Sequence, residues 1–148
     1  MSHVVAIANQ KGGVGKTTTA INLGASLAVA EKRTLVVDVD PQGNATSGLG
    51  VEGRESLTTV YDVLVGDRSV DESILHGVHF PYLDVVPSTR DLVGAEIELV
   101  NAQQRETVLR RALEPIREQY DYVLVDCPPS LGLLTLNTLT AADSVLIP

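Results

Sequence analysis

Lys11–Thr18 reads KGGVGKTT, and the rest of the 148-residue chain is organised around it. Three glycines in the first five positions cannot be a helix interior or a strand centre, because each costs about 0.5–1 kcal/mol there relative to alanine. A loop that wraps its bare backbone around an anion repays that cost. In such a loop Gly12, Gly13 and Gly15 let consecutive N–H groups converge on phosphate oxygens. Lys16 then reaches the β- and γ-phosphates and Thr17 offers a hydroxyl to Mg²⁺, with Val14 and Thr18 completing the cradle. The flanks agree. Val4–Asn9 (VVAIAN) predicts a strand buried on both faces, and Thr17–Ala30 predicts a helix whose free N–H donors and positive dipole end face the anion.

The pattern departs from the general phosphate loop G-x-x-x-x-G-K-[ST] at one point: glycine is wanted at position 10, where this chain has Gln10, with an extra lysine, Lys11, beside it. The alternative of a glycine-rich turn with a surface lysine leaves the strand and helix on either side unexplained. Two further segments end on carboxylates. Arg33–Val39 predicts a second buried strand running into Asp38, Asp40, Pro41 and Gly43, where proline and glycine start a loop. Tyr120–Asp126 (YDYVLVD) predicts another strand, stopped by Pro128 and Pro129. Carboxylates at the C-terminal ends of parallel strands are where doubly wound sheets place their chemistry. Asp126 is the expected Walker B aspartate, holding Mg²⁺ directly or through water. Asp38 has two readings, a contact to Mg²⁺ or its water and a buried carboxylate capping the loop backbone.

Between these strands, Ser56–Leu64 predicts a short helix, and Ser69 with Glu72 three residues on predicts a capping box. Tyr82–Val86 predicts a third strand. Asp91–Glu118 predicts helix with an apolar face at Val108, Leu109, Ala112, Leu113 and Ile116, solvated i,i+4 pairs Glu106–Arg110 and Arg110–Glu114, and a stop or kink at Pro115. Leu133–Ala142 predicts a helix, and Ser144–Ile147 a buried strand. The fold class is therefore α/β, a mostly parallel twisted sheet with helices on both faces. A sequence that stops inside an apolar strand is expected to be the N-terminal portion of a longer protein, with residues 1–148 a single phosphate-loop domain incomplete at its C-terminus.

Composition bounds the function. Nineteen acids against 11 bases give a net charge of −8, so this stretch is not itself a nucleic-acid surface. Its 44% hydrophobic content is that of a soluble globular chain, and its apolar runs are too short to span a bilayer. Met1–His3 lead straight into a strand, leaving no room for a signal peptide. One cysteine, Cys127, excludes an intrachain disulfide and fits a reducing compartment, the cytoplasm by default. It reads as a small buried side chain. His3, His76 and His79 have no partners at metal-ligand spacing.

These motifs resemble the ParA/MinD family of P-loop ATPases. ANQKGGVGKTTTAINL, DVDPQGNAT, PSTRDLVGAEIEL and YDYVLVDCPPSLGLL are similar to chromosomal or short ParA/Soj-type partition proteins. MinD-type relatives share KGGVGKTT and lack DPQGN. The resemblance implies ATP and Mg²⁺ as ligands, Asp40 as the residue that orients the attacking water, and Lys11 as a signature lysine that crosses to the nucleotide of a second subunit in an ATP-dependent homodimer. It also implies chromosome or plasmid segregation with a ParB-type partner, non-specific DNA binding through sequence not present here, and association with the nucleoid. No membrane contact is expected. Two other readings stand beside it. One is a positioning ATPase with a membrane or protein cargo, and the other is a metabolic P-loop enzyme acting on a small substrate.

Overall fold

The computed structural model describes residues 2–9, 11, 15–52, 58–66 and 68–148. Five strands form one parallel sheet: β1 (His3–Ile7), β2 (Thr34–Asp38), β3 (Leu83–Val86), β4 (Tyr122–Asp126) and β5 (Ser144–Leu146). Their order across the sheet is β3-β2-β4-β1-β5. β4 thus lies between β1 and β2, and the register sets Asp126 opposite both Ile7 of β1 and Asp38 of β2. The phosphate-loop sheet expected from the sequence is present, parallel at every pairing.

The strands are apolar in unbroken runs because helices cover both faces. On one side α1 (Lys16–Val29) packs through Ala20 and Ala28 onto Val36, Leu83 and Leu124. On the other, α3 (Val60–Val65), α4 (Leu92–Glu98), α5 (Val108–Leu113) and α6 (Leu133–Ala141) cover Leu35, Val37, Val86, Val123 and Val125. The short helix α2 (Asn44–Gly48) follows β2 where the sequence predicted only loop. Gly43, left-handed with φ 65°, turns the chain into it.

Several predicted elements change shape. The expected helix over residues 91–118 is two short α-helices joined by 3₁₀ turns. Gln104 is left-handed (φ 51°), and Asn137 of α6 caps the second piece, accepting from the Leu109 amide at 3.1 Å and donating to the Arg105 carbonyl at 2.8 Å. A tertiary contact ends the helix where its own periodicity would have continued it. Leu109, Leu113 and Ile116 are buried as expected. Among the described residues Glu106–Arg110 and Arg110–Glu114 are not ion pairs; Arg105 is the partner within reach of Glu106, at 4.0 Å. The helix expected from Ser56 begins at Val60, and Ser56 and Leu57 lie outside the described residues. Ser69 and Glu72 do make a capping box, over a 3₁₀ turn Val70–Ser73. β5 pairs with β1 as a strand, but it is exposed rather than buried, since it forms the sheet edge.

Gly24 lies against the sheet on the inner face of α1. A Cβ there would lie 2.9 Å from Val36 Cγ2, with Leu83 and Leu124 just beyond. Gly24→Val is therefore expected to lower unfolding free energy by about 1–3 kcal/mol through overpacking. Chemical denaturation measures it, and an unchanged midpoint would show that α1 does not pack this tightly.

Candidate active site

The carboxyl ends of β1, β2 and β4 share one edge of the sheet, and each delivers part of a single polar cluster. From β1 the chain passes Ala8, Asn9 and Lys11 to Gly15, which is left-handed (φ 82°) and precedes the first residue of α1. That helix has no side-chain cap and no acidic residue in its first turn, so its leading N–H groups are left for another acceptor. Lys16, the first helical residue, is 7% exposed, and its Nζ stands 2.9 Å from Asp126 Oδ1 and 3.7 Å from Asp40 Oδ2. Thr17 Oγ1 donates to the other Asp126 oxygen at 3.0 Å. The lysine, the threonine and the two strand-end aspartates that the sequence nominated thus meet around one point.

The electrostatics favour a cation here. Asp38 and Asp126 are fully buried on neighbouring strands, and the Lys16 ammonium faces two carboxylates, Asp126 and Asp40. Burial pushes Asp38 up to about 7, with hydrogen bonds from Thr46 opposing and the Asp126 charge adding to the rise. Burial also raises Asp126, although the Lys16 ammonium beside it pulls the other way. Among the described residues no group of three or more His, Cys, Asp or Glu is arranged to hold a metal unaided. The donor set suits Mg²⁺, which takes one or two protein oxygens and fills the remaining positions with phosphate and water. Thr17 Oγ1 and Asp126, already within hydrogen-bond distance of each other, are the residues that would hold it.

Asp40 is 3% exposed. Its Oδ1 accepts from the Gln42 amide at 2.9 Å, an Asx turn, leaving Oδ2 on the Lys16 side. Asp38 follows its loop-capping reading: Oδ1 accepts from the Asp40 amide at 3.0 Å, and Oδ2 from the Thr46 amide and hydroxyl at 2.9 and 2.7 Å. A role toward Mg²⁺ would have to share these oxygens. Lys11 is exposed, its backbone amide fixed to Asn9 Oδ1 at 2.9 Å, and its side chain borders a cavity of about 470 Å³ with Pro128, Leu131 and Ile147. Among the described residues it forms no ion pair. Thr18 is exposed, and Gly12, Gly13, Val14 and Gln10 lie outside the described residues.

The AAA domain family matches residues 2–148. Chromosome partitioning protein ParA of Myxococcus xanthus is 62% identical over 148 residues, all of this chain and 52% of that protein. Sporulation initiation inhibitor protein Soj of Bacillus subtilis is 59% identical over 148 residues, covering 58% of its own length. The chain belongs to the AAA domain family, as a ParA-type member. It spans about half the length of these relatives. Among solved structures, cobyrinic acid a,c-diamide synthase from Mycobacterium smegmatis with bound ADP and magnesium superposes at TM-score 0.93 with 44% identity, over 100% of this chain and 60% of that one. Apo McdA of Cyanothece does so at TM-score 0.93 with 32% identity, over 100% of this chain and 58% of that one.

In this ParA-type chain, sequence reasoning passed over Thr46 and Ser88. Thr46 donates to Asp38, and Ser88 donates to the Asp40 carbonyl at 2.6 Å. Lone hydroxyls carry no spacing signal, and only the β2–β3 pairing brings them to the site. No described helix is long and apolar enough to cross a membrane.

Cys127, next to Asp126, is fully buried, and burial raises its thiol to about 11. At pH 8 the buried thiol stays protonated and is shielded from solvent. In the native protein, Ellman's reagent should label it at least ~100-fold more slowly than in urea. Rapid native labelling would mean that the β4 end opens.

Proposed function

We propose that the protein is a Mg²⁺-dependent ATPase whose nucleotide state controls its dimerisation, and that it drives chromosome or plasmid segregation with a ParB-type partner. The observation that carries this reading is the meeting of Lys16, Thr17, Asp40 and Asp126 at one buried strand-to-helix junction, with Lys11 exposed beside it. Lys16 takes the β- and γ-phosphate oxygens, and the free amides at the start of α1 take the rest of that charge. Thr17 and Asp126 hold Mg²⁺, which when bound neutralises charge developing on the transferred phosphoryl group. Asp40 stands at the mouth of a turn, where its free oxygen orients a water for attack. Lys11, pointing away from the core, reaches the nucleotide of a second copy, an arginine-finger role filled by lysine.

DNA binding is assigned to sequence outside this acidic chain, and the cytoplasm with nucleoid association is the expected location. The likeness to McdA supports a second reading, in which the same ATP-driven dimer positions a cargo other than DNA. The likeness to a diamide synthase supports a third, with a small-molecule substrate; phosphate appearing on a metabolite rather than in water would favour it.

In the full-length protein, Asp40→Ala is expected to slow ATP hydrolysis by about 100-fold or more while leaving nucleotide binding intact, and to accumulate as an ATP-bound dimer in sedimentation. Lys11→Ala should bind ATP and remain monomeric. An Asp40→Ala protein that binds ATP but stays monomeric would contradict the dimer mechanism.

A further inference from the structure

In the run PSTRDL that follows β3, Ser88 closes a ring of hydrogen bonds around Asp40. The Asp40 amide donates to Asp38 Oδ1 at 3.0 Å, and Thr46 donates to Asp38 Oδ2 through its hydroxyl at 2.7 Å. The Ser88 amide donates to Thr46 Oγ1 at 2.9 Å, and Ser88 Oγ donates back to the Asp40 carbonyl at 2.6 Å. Every proton in the ring has one acceptor, and the ring joins two strands. Asp38 ends β2, Asp40 is in the turn after it and Thr46 is in α2, whereas Ser88 sits two residues beyond the end of β3.

We propose that Ser88, with Thr46 behind it, is a positioning residue for hydrolysis: it clamps the main chain of Asp40 so that the free carboxylate oxygen is held at a fixed place relative to Lys16. Packing does not do this by itself. A cavity of about 290 Å³ lies against Gln42, Gly43, Thr46 and Ser88, so the turn has room to move on its outer side. The other contacts of Asp40 are the Gln42 and Gly43 amides, which travel with the turn, its own amide on Asp38 Oδ1, and the Lys16 ammonium 3.7 Å from Oδ2. Only the Ser88 hydroxyl ties the Asp40 carbonyl to the segment that follows β3. A displacement of about 1 Å in an oriented catalytic group is enough to cost up to 100-fold in rate.

The inference rests on the proposed role of Asp40, and the variants separate the two. Ser88→Ala removes only the hydroxyl: the Ser88 amide still donates to Thr46, and the Asp40 carbonyl still accepts from Gly43 at 2.8 Å, so no buried group is orphaned. Ser88→Thr keeps the hydroxyl donor. In the full-length protein, Ser88→Ala is expected to lower kcat for Mg²⁺·ATP hydrolysis by about tenfold, with KM, the affinity for a fluorescent ATP analogue and the melting temperature essentially unchanged. Ser88→Thr should restore kcat to within about threefold of wild type. Wild-type kcat in Ser88→Ala, beside an inactive Asp40→Ala, would overturn the clamp alone. So would a fall in nucleotide affinity and melting temperature that matches the fall in kcat and is not rescued by threonine. An Asp40→Ala protein that hydrolyses at the wild-type rate would overturn the role of Asp40 and the clamp with it.

Discussion

The Lys16 ammonium, nearly buried between Asp126 and Asp40, is the interaction on which the arrangement depends. A buried ion pair is weak grounds for net stability, because desolvating both charges offsets most of their attraction. Here the balance is less favourable still, since one ammonium answers two carboxylates, Asp126 and Asp40, with the buried Asp38 on the adjacent strand. A junction built for stability alone would use fewer acids. The excess negative charge is understandable if the site must also take a divalent cation, and the uncapped start of α1 is understandable if it must take the phosphates that travel with that cation.

Sheet topology makes the crowding possible. Placing β4 between β1 and β2 puts Asp126 level with Asp38 and with the end of the strand that feeds the glycine loop. A slip of one residue in either ladder would turn Asp126 to the opposite face and replace it with an apolar neighbour. The buried runs on both faces, Val36 and Leu124 under α1 and Val37 and Val125 under the other helices, hold that register. Hydrophobic packing therefore acts on the chemistry indirectly, by fixing which side chains end each strand at the loop edge.

The parts legible in the sequence were those written in contiguous residues. The glycine loop, the strands leading to Asp38 and Asp126, the helix after Lys16 and the Ser69–Glu72 capping box all follow from local pattern and turn chemistry. What was not legible depends on partners distant in sequence. Asn137, from α6, caps α5 and so interrupts a helical pattern that looked continuous from Asp91 to Glu118. Asp38 could be read two ways until Thr46 was seen to occupy one of its oxygens. Ser88 carried no signal, because its importance comes from lying across from Asp40 in the segment that follows β3. The edge strand β5 read as buried from composition alone, since apolar content says nothing about which side of a sheet is covered.

Lys16 serves two masters in this account: it neutralises the strand-end aspartates, and it is the group that must grip the phosphates. The most direct measurement is a crystal structure of the full-length protein grown with Mg²⁺ and a non-hydrolysable ATP analogue. The account predicts the Lys16 ammonium on the β- and γ-phosphate oxygens, with Mg²⁺ held by Thr17 Oγ1 and the Asp126 side. A nucleotide bound elsewhere, or a phosphate at this junction with Lys16 still closed on Asp126 and no metal beside Thr17, would contradict it.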